Sequence, residues 1–95
     1  MHGIVATLKI KDGVQAEFEA VANGLVEQSR QEPGCRGYTL WRTADANTYV
    51  FVEYYDNAEA IDAHMKSDHY RQIGRQLGAF LDGAPELKRL VGATS

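Results

Sequence analysis

Residues Thr48 to Tyr55 read Thr-Tyr-Val-Phe-Val-Glu-Tyr-Tyr. Such β-branched and aromatic side chains favour an extended strand, in which successive residues point to opposite faces. Tyr49, Phe51, Glu53 and Tyr55 then share one face, and Val50, Val52 and Tyr54 the other. Both faces are apolar, so the strand has to be covered from two sides. This is the main constraint on the fold, because a chain of 95 residues buries only about 60–65% of its unfolded surface and has little material for a third layer.

The rest of the chain supplies one covering layer. Gly3 to Ile10 alternates, with Ile4, Ala6, Leu8 and Ile10 on one side and Val5, Thr7 and Lys9 on the other, which predicts a strand. Asp12-Gly13 breaks it, and Asp12 with Gln15 three residues on forms a capping-box pattern. Val14, Phe18, Val21 and Leu25 follow at helical spacing. Glu32-Pro33-Gly34 ends that helix, since Pro33 disfavours helical geometry at the residue before it. Cys35 to Arg42 and Thr48 to Tyr55, joined by the polar turn Thr43-Ala44-Asp45-Ala46-Asn47, read as an antiparallel hairpin. Asp56 and Glu59 predict the next capped helix start, with Ala60, Ile61, His64 and Met65 inward. Ser67-Asp68 is a fresh cap, followed by Tyr70, Ile73, Leu77 and Phe80 or Leu81 at helical spacing. Asp82-Gly83-Ala84-Pro85 stops this helix before a last strand, Glu86 to Val91. The order β-α-β-β-α(α)-β is the split βαβ pattern: one α+β, ferredoxin-like domain over residues 1–95, with an antiparallel sheet and helices on one face.

If Arg36, Tyr38 and Leu40 join Tyr49, Phe51, Glu53 and Tyr55 beneath the helices, the opposite face carries Trp41, Val50, Val52 and Tyr54. An apolar patch of that size marks an interface. Two copies packed sheet to sheet would bury both patches, giving a homodimer and a dimeric α+β barrel.

Composition narrows the function. With 44% hydrophobic residues and a net charge of −3, the chain is too apolar for disorder and lacks the basic block expected of a nucleic-acid or anionic-membrane binder. No apolar run reaches the roughly 18 residues of a membrane helix. Met1-His2-Gly3-Ile4 lacks the basic start and apolar stretch of a signal peptide. Cys35 is the one cysteine, so no intrachain disulfide forms. These features point to the cytoplasm.

Few residues can carry chemistry. His64, on the inner side of its helix, is the natural general base or else a hydrogen-bonded core residue. Glu53, in an apolar strand, either orients that histidine or is solvated at a rim. His69 lies at the pocket mouth or on the surface. Tyr38, Tyr55 and Tyr70 offer hydroxyls for a flat, oxygenated ligand, and otherwise are core. Arg36 turns outward, or pairs with Glu53 or an anionic substrate. Gly74 and Gly78, inside the last helix, point to close packing or to room for a ligand. The spacing of His64 and His69 does not match helical metal ligands at i, i+4, and no second thiol is present, so no metal is expected. Nucleotide-binding and hydrolase motifs are absent.

Three segments taken together resemble the antibiotic biosynthesis monooxygenase family: Glu32-Pro33-Gly34-Cys35-Arg36-Gly37-Tyr38, Glu53-Tyr54-Tyr55-Asp56, and Ala60 through His64 and Ser67 to His69. The resemblance implies a dimeric ferredoxin-like α+β barrel that oxygenates a quinol or related small aromatic compound with O2 and no cofactor. It implies Glu53, His64 and His69 as site residues, while Tyr55 stands where members often have Trp and Arg36 where they often have an apolar residue. Joined to the residue reading, this makes His64 and Glu53 catalytic, with Tyr38, Tyr55, His69, Tyr70 and Arg36 around the substrate. An isomerase or tautomerase of the same fold, and a non-catalytic ligand-binding dimer, are the alternatives.

Overall fold

The structure, a computed structural model, describes residues 1–94. The chain runs β1 (His2–Lys9), α1 (Gln15–Arg30), β2 (Cys35–Arg42), β3 (Thr48–Tyr55), α2 (Ala58–Lys66), α3 (Asp68–Gly78), β4 (Glu86–Val91). The strands form one sheet in the order β2-β3-β1-β4, with every neighbouring pair antiparallel. This is the ferredoxin-like α+β arrangement that the period changes predict, with the second helix divided into α2 and α3 at Ser67.

Register places the core. Ile4 stands opposite Glu53, Ala6 opposite Phe51 and Leu8 opposite Tyr49, while Tyr38 pairs with Glu53 on the other side of β3. These side chains share the helix-covered face and are buried with Phe18, Ala22, Leu25, Ile61, Ile73 and Leu77 from the helices. Among the described residues the opposite face has no covering layer: Trp41 and Tyr54 are 58% and 46% exposed, and Val50 and Val52 are half-buried beside them.

Four local expectations are corrected. Asp12 does not cap α1. Its carboxylate accepts from the Asn47 side-chain amide, and the helix begins after Val14 without a side-chain cap. The Gln15 amide donates to Asn47 Oδ1 at 2.8 Å, so these residues fasten the β2–β3 turn to the helix. Asp56 does not cap α2 either; Asn57 does, accepting from the Ala60 amide, while Asp56 receives two bonds from Arg36. Arg36 leaves the inner face because β2 is irregular between Cys35 and Gly37. The extra residue of a bulge breaks strict alternation. Finally, close packing does not explain Gly74 and Gly78: a Cβ at either would meet nothing within 4 Å.

Candidate active site

Between the inner sheet face and α2–α3 lies a cavity of about 390 Å³, within the usual range for small-ligand sites. Ile4, Ala6, Leu8 and Phe51 form its apolar floor, and Tyr38, Glu53, His64 and Tyr70 bring polar groups to it. Met65, Arg71, Gly74, Arg75, Leu77, Pro85 and Leu87 complete the wall.

His64 is held by more than its own helix. Its ring is 1% exposed and lies among Tyr38, Tyr55 and Tyr70, with centroids 5.4, 5.6 and 4.9 Å away. Nδ1 lies 2.8 Å from Glu32 Oε2. A carboxylate can only accept, so Nδ1 carries the proton and the neutral ring keeps its lone pair on Nε2. Nε2 is buried and has no hydrogen-bond partner among the described residues; the carboxylate oxygen Glu53 Oε1 is 3.9 Å away. Burial pushes the His64 pKa below the ordinary histidine value, with Glu32 opposing the shift. The imidazole is therefore neutral at pH 7.

Glu53 differs from its sequence-based role. It does not reach His64; it accepts a hydrogen bond from the Tyr55 hydroxyl at 2.6 Å. The residue that orients His64 is Glu32, from the loop after α1. This loop is fixed against α2 at Gly34, where a Cβ would come within 2.5 Å of Ala60 Cβ, and by the Asp56 amide donating to Gly34 O at 3.0 Å. The sequence marks Glu32 as part of a helix stop and as the first residue of the family segment ending at Tyr38, but not as the partner of His64. The available signal was its place beside a proline-glycine turn, but periodicity does not say where such a turn docks.

Burial pushes Glu53 up to about 7, while the hydrogen bond from Tyr55 and the neighbouring Tyr38 hydroxyl pull it down. Near neutral pH it exists in both protonation states. Burial also raises the Tyr38, Tyr55 and Tyr70 hydroxyls, so they remain protonated donors.

The expected site residues therefore occupy three zones. Tyr38, Glu53, His64 and Tyr70 face the cavity. Tyr55 and His69 stand behind it, Tyr55 on Glu53 and His69 with Nε2 at 2.5 Å from Glu32 Oε2. Arg36 lies outside, half-exposed and ion-paired to Asp56. Glu32, His64 and His69 also have the donor types of a metal site, with one atom of each within 4.8 Å of the others. Helical spacing alone missed this set because its third donor comes from a loop. Ligand atoms around a divalent ion bound at about 2.1 Å stand roughly 3 Å or more apart, so these hydrogen-bonded groups would have to separate to hold one.

The sequence profile of the antibiotic biosynthesis monooxygenase family matches residues 1–76, which include this entire histidine–carboxylate group. The chain belongs to the antibiotic biosynthesis monooxygenase family. Among members, it is 30% identical over 78 residues to a Mycobacterium tuberculosis protein named as a candidate monooxygenase, covering 82% of this chain and 77% of that one. A Bacillus subtilis protein of the same designation is 31% identical over 67 residues, 70% of each chain. A solved structure from Caulobacter crescentus, described as a candidate antibiotic biosynthesis monooxygenase, superposes with a TM-score of 0.93 at 33% identity, covering 98% of this chain and 90% of that one. Across the described residues of this family member, no helix is long and apolar enough to cross a membrane.

Proposed function

We propose that the chain is a cofactor-independent monooxygenase of quinols or closely related small aromatic compounds, with His64 as general base. The observation that carries this reading is the buried His64 Nε2, without a hydrogen-bond partner among the described residues, on a residue that lines the cavity and whose tautomer is set by Glu32. A base oriented by a carboxylate on its far nitrogen is the arrangement required to take a proton from a substrate hydroxyl. Family membership and the monooxygenase names of the relatives support the reaction class.

In this reading the quinol hydroxyl loses its proton to Nε2. The resulting electron-rich anion reduces O2, one oxygen atom bonds to a ring carbon and the other leaves as water. Quinol plus O2 gives hydroxyquinone plus water, and the substrate is the sole reductant. Glu53, within the Tyr38–Tyr55 hydroxyl pair, returns or receives the ring proton. Tyr70 covers the substrate face, and the apolar floor keeps competing water away from the anion. His69 steadies Glu32 and acts as a positioning residue.

A proton-transfer reaction without oxygen is the second reading. It is favoured by one observation, that a carboxyl group raised to about 7 and a neutral imidazole line one cavity. Oxygen uptake separates the two. Chelator-treated protein should consume O2 with a quinol panel, and His64→Ala should reduce kcat by about 10²–10⁴-fold. Substrate conversion with no oxygen uptake would identify an isomerase, while loss of activity on chelation would assign Glu32, His64 and His69 to a metal instead.

The assembly we infer is a homodimer formed by the outer sheet face, with Trp41, Val50, Val52 and Tyr54 at its centre. The support is the single helix layer: this face is apolar and none of the described residues covers it.

A further inference from the structure

We propose that the substrate is an anion, with its oxidisable hydroxyl at the His64 end of the cavity and a carboxylate or phosphate held at the mouth by Arg71 and Arg75. This rests on the monooxygenase reading for the buried end only.

Arg71 and Arg75 are one helical turn apart on α3, so they project from the same side of the helix. Both line the cavity. Neither has an ion-pair partner among the described residues, whereas Arg36 and Arg42 are paired with Asp56 and Glu19. Two adjacent guanidinium groups repel one another, and each presents a planar set of donors matched to carboxylate or phosphate oxygens. An anion at the mouth would satisfy both.

Gly74 supplies an independent observation. It lies between the two arginines and lines the same wall. A glycine inside a helix is unfavourable relative to alanine, and a Cβ here would meet no protein atom within 4 Å. Internal packing therefore does not account for the missing side chain. Gly78 is equally open but does not line this cavity, whereas at Gly74 the open space lies on the cavity wall between the arginines, where a ligand would occupy it. The remaining wall, Leu77, Leu81, Pro85 and Leu87, suits the apolar body of the ligand, and the polar ends of the cavity set its direction.

Anaerobic calorimetry tests the proposal without turnover. The probes are 2,5-dihydroxyphenylacetate, its methyl ester, and hydroquinone monophosphate. The acid should bind about tenfold or more tightly than the ester. Replacing both arginines, Arg71→Gln with Arg75→Gln, should bring that ratio close to one, while Lys66→Gln, on the exposed end of α2, should leave it unchanged. Gly74→Ala should fold at least as stably as the parent and bind the acid several-fold more weakly. The phosphate probe decides which anion fits better, and tighter binding of either one over the ester supports the site. Equal binding of acid and ester, an acid preference that survives loss of both arginines, unchanged acid affinity in Gly74→Ala, or no saturable binding of either anion at millimolar concentration would overturn it. Oxygen uptake with the neutral ester in the face of such a result would leave the monooxygenase reading intact. Arginine-dependent acid binding without oxygen uptake on any quinol would do the reverse.

Discussion

At the scale of single residues, Glu53 and His64 answer burial in opposite senses. Glu53 is raised from 4.5 to about 7. Between those values the unfolded chain has released a proton that the folded chain retains, so stability falls as pH rises through this window. The groups facing Glu53 are Tyr38 from β2, Tyr55 beside it on β3, His64 from α2 and Tyr70 from α3. None of these is a fixed cation that would offset the cost of ionising it. Urea denaturation should show the wild type losing up to about 3 kcal/mol between pH 5 and 8 relative to Glu53→Gln; parallel curves would refute this. His64 is lowered, so the unfolded chain takes up its proton first and stability falls as pH drops below about 6.5. The same depression predicts that kcat/KM holds its plateau to lower pH than an ordinary histidine allows. Glu32→Gln cannot fix the tautomer as a carboxylate does. It should cut kcat by about 10–100-fold and displace that acid limb, whereas a purely structural loss would lower activity at every pH alike. At this scale the sequence identified His64 and Glu53 by their incongruity among apolar neighbours. For Glu32 it gave a helix stop and the start of a family segment but no chemical role, because a glutamate beside a turn does not show which histidine it will meet.

At the scale of elements, strand bounds were the most legible feature. Cys35–Arg42, Thr48–Tyr55 and Glu86–Val91 follow from alternation and turn residues alone. Caps were less legible, since Asp12 and Asp56 each had a competing partner brought in by the fold, Asn47 and Arg36. The bulge at Arg36 was likewise invisible, because alternation continues in the sequence even where the backbone interrupts it. The contact of the Glu32 loop with α2 offers a direct test. Gly34→Ala forces a Cβ against Ala60 Cβ, which stands at 2.5 Å, and should cost about 1–3 kcal/mol along with much of the activity. Adding Ala60→Gly should recover most of both. A Gly34→Ala protein of wild-type stability would show that the loop has freedom to move away.

At the scale of the whole molecule, the first constraint read from Thr48–Tyr55 is met on one side only. Three helices cover Glu53 and its neighbours, and the face with Trp41 and Tyr54 remains open among the described residues. Val52→Lys with Trp41→Lys should convert the proposed dimer to monomer in light scattering at micromolar concentration while leaving the far-UV spectrum helical. A wild-type protein that is monomeric under those conditions would remove the dimer from the proposal. Small size also shaped the cavity, since its wall draws on β1, β2, β3, α1, α2, α3 and the β4 edge together, and no single segment could have announced it.

The amino-acid order by itself determined the sequence of elements, the two-faced β3 strand and the family pattern. Each rests on interactions between residues a few positions apart, where alternation and helical spacing are direct consequences of backbone geometry. Only the tertiary structure decided that Glu32 serves both His64 and His69, across separations of 32 and 37 residues, and that two arginines with no ion-pair partner among the described residues flank a glycine on the cavity wall. Those meetings depend on how a loop and two helices dock on the sheet, and docking is set by packing among distant side chains that local periodicity does not encode.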